Sequence, residues 1–148
     1  MGTLPIHTPI IDVEVENIKT VAILDTGADI SIISERLFQK LPKHMVGSLQ
    51  ARQLPEITGV TGHQLTDLGS VKVKVKLGKA SCTVNFAVIK GISRNLLLGS
   101  DFLGQTKAKL DYDKRSLKIG NEVILLKRKA DVKNSCALVM VDQKLQAP

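Results

Sequence analysis

Hydrophobic and polar residues alternate over several short stretches of the chain, a pattern typical of half-buried β-strands. The alternation is strictest over residues 70–77, where valines and lysines take turns. Gly78-Lys79 and Gly120-Asn121 are suited to two-residue turns between such strands. We predict strands over residues 11–15, 21–24, 30–33, 70–77, 81–89, 107–111, 116–119 and 123–126.

Two segments have helical features. Ser34 can cap a short helix that runs to Gln39, and Leu41-Pro42 ends it. Residues 95–104 are apolar at helix-like spacing and predict a second helix. Residues 42–55 read as a loop, and the glycine-containing segment 56–63 leads through a long hairpin into the strand at 70–77. The fold class is therefore all-β: a small closed β-barrel with one or two short helices.

Length and composition narrow the class of protein. A chain of 148 residues with 43% hydrophobic residues is the size of one domain with a real core. It has no apolar run near the ~20 residues that span a bilayer, and its first residues lack the pattern of a signal peptide. We therefore expect a protein that is not secreted and has no membrane partner. Of its two cysteines, Cys82 shares the parity of a buried strand face, so we expect it in the core. The three histidines are scattered, which predicts no metal site.

Charge is distributed unevenly along the chain. Residues 1–68 carry 5 basic and 8 acidic side chains, whereas residues 69–148 carry 16 basic and 6 acidic ones. A basic surface can attract nucleic acid. However, the lysines at 72, 74 and 76 alternate with valines as on the solvated face of a strand, and three Phe and one Tyr offer no stacking platform. These features argue against nucleic-acid binding.

Asp25 is the residue most suggestive of chemistry. It follows an apolar strand and precedes Thr26-Gly27-Ala28, a turn of small residues. A carboxylate at the end of a buried strand is costly unless it is paired or hydrogen-bonded. An ordinary Asx-type turn after a strand is the alternative interpretation, and the tripeptide alone does not decide between the two.

The surrounding sequence resembles the retropepsins, the aspartic proteases of retroviruses and LTR retrotransposons. Residues 21–33, which read VAILDTGADISII, are similar to the active-site signature of that family. Residues 96–103, which read LLLGSDFL, are similar to its second motif, carried here by Leu97, Leu98 and Gly99. Between them lies a hairpin where the family has its flap. The resemblance implies the retropepsin barrel over residues 1–127, with 128–148 as a C-terminal extension, either an extra strand or a polyprotein linker.

The resemblance also implies a mechanism. Each retropepsin subunit supplies one aspartate, and this chain has a single Asp-Thr-Gly. Asp25 would be catalytic only in a twofold homodimer, where the two carboxylates share one proton and activate water without a metal or other cofactor. Thr26 and Gly27 would support the active-site loop and the dimer. Gly27, Ala28 and Asp29 would bind an extended peptide, together with a flap at Gly59, Val60, Thr61 and Gly62.

One position departs from the family pattern. Many retroviral members have Arg directly after the glycine of the second motif, where it braces Asp29 and the dimer, and here that position is Ser100. The form is similar to gypsy-type retrotransposon proteases and their domesticated relatives. We expect an endopeptidase that processes a retroelement polyprotein in the cytoplasm or in a retroelement particle. A catalytically weak domain of the same fold, used for dimerisation or peptide binding, is the alternative.

Overall fold

A computed structural model of the chain describes residues 9–44, 46–51 and 65–127. Within these ranges the chain forms strands, two short helices and the turns that connect them. The elements are β1 (Ile10–Val15), β2 (Ile18–Leu24), β3 (Ser31–Ser34), α1 (Glu35–Lys40), β4 (Thr66–Leu77), β5 (Ala80–Lys90), β6 (Leu96–Leu98), α2 (Ser100–Thr106), β7 (Lys109–Asp111), β8 (Ser116–Ile119) and β9 (Glu122–Leu125).

Six of these strands close into a barrel in the order β1-β2-β6-β3-β5-β4. β1 and β2 form a tight antiparallel hairpin through Glu16-Asn17, and β4 and β5 form a longer one through Gly78-Lys79. β7, β8 and β9 make a separate antiparallel sheet, with Gly120 and Asn121 turning β8 into β9. The predicted all-β barrel with two short helices is confirmed.

The barrel interior is filled by every second residue of its strands. Along β4 the valines have at most 2% of their surface exposed, while the lysines between them face solvent. Phe86 on β5 is fully buried in the same core. Cys82, predicted to be a core residue, is only half-buried and packs against the core from β5. Burial raises the pKa of the Cys82 thiol, because the charged thiolate loses hydration there.

The helix predicted over residues 95–104 is correct only in its second half. Leu96–Leu98 form the strand β6, and the helix begins at Ser100. β6 lies between β2 and β3, so both of its edges are hydrogen-bonded. All three of its leucines are buried, which shows that both faces of the strand are also covered. A strand buried on both faces has a continuous apolar run, which periodicity cannot distinguish from a buried helix.

The first helix begins as predicted. The Ser34 side chain accepts a hydrogen bond from the Leu37 N–H, with N and O 3.1 Å apart, and the backbone becomes extended again at Leu41. This cap holds α1 against the end of β3 and leaves Leu37 buried in the core.

Three regions of the sequence predictions lie outside the described residues. They are the flap segment 57–63, part of the loop at 42–55, and the extension 128–148. The boundary placed at residue 127 therefore stays a prediction. Gln50 and Ser70 exchange two backbone hydrogen bonds of 2.8 Å, so the stretch that holds the predicted flap starts and ends at one pair of residues.

No helix in the described part of the chain is long and apolar enough to cross a membrane. Among the same residues, no three His, Cys, Asp or Glu side chains cluster in a way that could hold a metal ion.

Ser34→Ala removes the cap of α1 while leaving the buried strand unchanged. We expect the free energy of unfolding to fall by about 1 kcal/mol, since the Leu37 N–H loses its partner. Urea denaturation followed by circular dichroism measures the change. Ser48→Ala, on an exposed loop, is the matched control and should change stability by less than about 0.5 kcal/mol. Equal effects of the two substitutions would contradict the capping role.

Candidate active site

Asp25 stands where β2 ends and the chain turns toward β3. Leu24 before it is 2% exposed, whereas Asp25 itself is only partly buried. Its backbone N–H donates to the Leu98 carbonyl at 2.9 Å, which continues the ladder between β2 and β6 by one residue. The strand ladder thus brings the carboxylate to the barrel surface at a fixed position.

The Asp25 side chain is oriented by its own turn. The Gly27 N–H donates to Asp25 Oδ1 at 3.0 Å, and the Ala28 N–H donates to the Asp25 carbonyl at 3.1 Å. The first of these is an Asx-type turn, so the alternative interpretation describes the local geometry correctly. It does not exclude a chemical role, because a carboxylate has a second oxygen and Asp25 is open to solvent on one side.

Among the residues that the structure describes, none excludes a side chain at position 27. A Cβ built at this position would meet Asp25 Oδ1 at 3.4 Å, which is ordinary van der Waals contact. Thr26 and Gly27 are both exposed, as is Asp29, while Ala28 is half-buried. The four residues after Asp25 therefore form a loop at the surface of the described chain.

The second motif meets this loop because β6 is inserted between the two strands that flank it. β6 runs parallel to β2, pairing Leu98 with Leu24, and antiparallel to β3, pairing Leu97 with Ile32. Leu98 is fully buried and Leu97 is 6% exposed, so in the single chain both belong to the core.

Gly99 is the point of closest approach between the motifs. A Cβ there would lie 2.7 Å from the carbonyl oxygens of Ala28 and Ile30. Its φ of −96° is open to any residue, so the requirement for glycine is one of space. Immediately after it, the Ser100 N–H donates to the Ala28 carbonyl at 2.7 Å. The segment at Gly99 therefore contacts the active-site loop through its backbone and not through side chains.

Two polar residues beside the motifs were missed by the sequence predictions. The buried Ser31 hydroxyl donates to Asp101 Oδ1 at 2.7 Å and accepts from the Gly99 N–H at 3.0 Å. The Ser31 N–H donates to Asp101 Oδ2 at 3.0 Å. Two features of the sequence could have identified them: a serine inside the apolar strand Ile30 to Ile33, and an aspartate directly after Gly99-Ser100.

The structure thus brings together most of the predicted site residues. Asp25, Thr26, Gly27, Ala28 and Asp29 form one turn, and it is held from below by Leu97, Leu98 and Gly99. The predicted flap residues Gly59, Val60, Thr61 and Gly62 lie outside the described residues, so their position stays a prediction.

Over residues 6–111 the sequence matches the family described as retroviral aspartyl protease. The chain belongs to this family. The match includes Asp25 and both motifs, and it establishes a retropepsin-like domain.

Similar proteins include a relative found by sequence and two solved structures. The chain is 27% identical over 139 residues to DNA damage-inducible protein 1 of Neurospora crassa, covering 93% of this chain but only 31% of that protein. The retroviral protease-like domain of Ddi1 from Leishmania major superimposes with a TM-score of 0.68 at 20% identity, covering 84% of this chain and 96% of the other. EIAV protease, solved with the inhibitor HBY-793, gives a TM-score of 0.54 at 23% identity, covering 70% and 92%. At these identities the structural likeness establishes the fold.

Gly99→Ala tests the close approach between the motifs. The added methyl would meet two backbone carbonyls that cannot move independently, so we expect the free energy of unfolding to fall by about 1–3 kcal/mol. Urea denaturation is the measurement. Gly104→Ala is the matched control: its Cβ would meet nothing within 4 Å in the helix α2, and we expect a gain of up to about 1 kcal/mol. A neutral Gly99→Ala would contradict the contact.

Proposed function

We propose that this chain is an aspartic endopeptidase in which Asp25 from each of two copies forms the catalytic pair. The observation that carries the proposal is the Asp25 turn: a partly exposed carboxylate, oriented by the Gly27 N–H and held to the Leu98 carbonyl at the barrel surface. Membership of the retroviral aspartyl protease family supports the reaction class.

The need for two copies follows from the chemistry. Hydrolysis by this route uses one carboxylate as general base and one carboxylic acid as general acid. The chain has one Asp-Thr-Gly sequence, so a second copy must bring the second group. A twofold axis beside Thr26 and Gly27, both exposed, would place the two loops face to face.

Two carboxylates held that close cannot both be ionised, so the pair shares one proton. The ionised carboxylate takes a proton from a water molecule, whose oxygen attacks the carbonyl carbon of the scissile peptide bond. The protonated carboxyl gives its proton to the carbonyl oxygen. When the carbon–nitrogen bond breaks, the carboxyl group that took its proton from water gives that proton to the leaving amine. One hydroxyl group of the tetrahedral intermediate returns a proton to the other carboxylate, so the pair again shares one proton.

The same loop has the features of a peptide-binding floor. Because a Cβ at Gly27 would be tolerated within the chain, its absence leaves room for something outside it, such as a substrate backbone. The exposed Asp29 carboxylate can accept a peptide N–H. An extended peptide would lie across this floor as an added strand, with residues 57–63 as the flap above it.

We propose a retroelement polyprotein as the substrate, cleaved in the cytoplasm or inside a retroelement particle, in keeping with the gypsy-type form of the second motif. The likeness to DNA damage-inducible protein 1 favours a second candidate, a retropepsin-like domain within a larger cellular protein. In that setting the domain could dimerise or bind peptides with little turnover. Incubation of the domain with its own flanking precursor sequence distinguishes the two.

Asp25→Asn should abolish cleavage. The amide cannot take a proton from water, so we expect the rate to fall by at least about 10²- to 10⁴-fold at mildly acid pH, with the fold retained. A peptide library read by mass spectrometry provides the assay. Asp113→Asn makes the same chemical change on an exposed turn and should leave the rate unchanged. Cleavage by Asp25→Asn at the wild-type rate would show that the assignment is wrong.

Mixing experiments test whether two copies share one site. Random pairing of wild type with a ninefold excess of Asp25→Asn leaves about one wild-type chain in ten with an intact partner. We therefore expect the rate per wild-type chain to fall to roughly one tenth, and to fall also on dilution. A rate per wild-type chain that is independent of both added variant and concentration would exclude a shared site.

A further inference from the structure

We propose that Asp101, acting through Ser31, is a positioning residue that holds the Asp25 turn in its reactive geometry. The inference rests on the proposed function, since positioning has meaning only if Asp25 reacts. Neither residue is part of the turn, and Asp101 lies 76 positions beyond Asp25 in the sequence.

Asp101 uses both carboxylate oxygens. Oδ2 accepts from the Ser31 N–H at 3.0 Å, while Oδ1 accepts from the Ser31 hydroxyl at 2.7 Å and from the Phe102 N–H at 2.7 Å. Three donors on one ionised group form charge-assisted hydrogen bonds, which are shorter and stronger than neutral ones. Since Gly99 offers α2 no side-chain cap, Asp101 also satisfies an amide in the first turn of that helix.

Ser31 connects Asp101 to the second motif through hydrogen bonds. It is fully buried at the start of β3, directly after the active-site loop. Its hydroxyl, while donating to Asp101, accepts from the Gly99 N–H at 3.0 Å. One side chain therefore joins β3, the end of β6 and the start of α2.

The residues on either side of Gly99 form hydrogen bonds directly with the active-site loop. The neighbouring Ser100 N–H holds the Ala28 carbonyl, and the Leu98 carbonyl holds the Asp25 N–H. A shift of Gly99 would move both of these anchors, one at each end of the Asp25–Ala28 turn. The packing at Gly99, where a Cβ would lie 2.7 Å from two carbonyls, leaves little room for such a shift to be absorbed.

Position 100 is a serine in this chain, where many retroviral members have an arginine that braces the loop. Ser100 is exposed, and its backbone N–H contacts the loop by donating to the Ala28 carbonyl. Asp101 and Ser31 supply a brace from within one chain, through hydrogen bonds that need no partner subunit.

Ser31→Ala and Asp101→Ala are the primary test, with sites counted by titration with a tight-binding statine-type inhibitor. We expect kcat per titrated site to fall about 10- to 100-fold, because small displacements of a reacting group have effects of this size, with KM changed less than about threefold. Asp101→Asn keeps one acceptor oxygen of two and is nearly isosteric, so its loss should be intermediate.

Matched controls separate positioning from stability. Ser34→Ala removes a second buried serine of β3 that also caps a helix, and Asp111→Ala removes a carboxylate that accepts the Lys114 N–H in a turn. Both should leave kcat per titrated site at the wild-type value. The proposal is overturned if Ser31→Ala and Asp101→Ala merely lower the number of titratable sites, as a purely structural role would.

A wild-type protein that fails to cleave would refute the proposed function separately. The restraint itself is then measured by amide hydrogen exchange in Asp101→Asn. Faster exchange at Asp25 and Ser100, with β4 unchanged, supports the role of Asp101 in holding the turn, and unchanged exchange at both overturns it.

Discussion

The structure depends on the insertion of one three-residue strand, β6, between β2 and β3. The chain must leave β2 at Asp25 to form an exposed turn, and it returns as β3 only six residues later, at Ser31. Two strands that flank such a turn cannot pair directly, because β6 occupies the space between them. Leu96–Leu98 supply the missing ladder to both sides, parallel to β2 and antiparallel to β3.

This insertion satisfies backbone groups that would otherwise be buried and unpaired. A hydrogen bond contributes roughly 1 kcal/mol net, and a buried polar group left unpaired costs about 1–3 kcal/mol, so pairing these groups stabilises the turn. The Asp25 N–H and the Ala28 carbonyl find their partners on Leu98 and Ser100. The turn is therefore held by hydrogen bonds without a buried side chain of its own, which leaves its carboxylate partly exposed.

The backbone at Gly99 approaches the backbone of the active-site loop too closely for a side chain to fit between them. The hydrogen bonds between Ser31 and Asp101 stabilise this contact. The turn is exposed at Thr26, Gly27 and Asp29, which is where the proposed function places a second copy and the substrate. Support from inside the barrel and openness outside it together make a surface aspartate suited to catalysis.

The sequence alone determined the features that depend on local pattern. Alternation along residues 70–77 predicted which side chains of β4 are buried, and Ser34 predicted the start of α1, because each reflects neighbours within a few positions. The apolar approach to Asp25 and its similarity to a known signature located the candidate site. Only the tertiary structure decided that residues 96–98 are a strand, because a run covered on both faces has no periodicity to read. It alone also paired Ser31 with Asp101, seventy positions apart, since nothing in local sequence records which polar side chains will meet once the barrel closes.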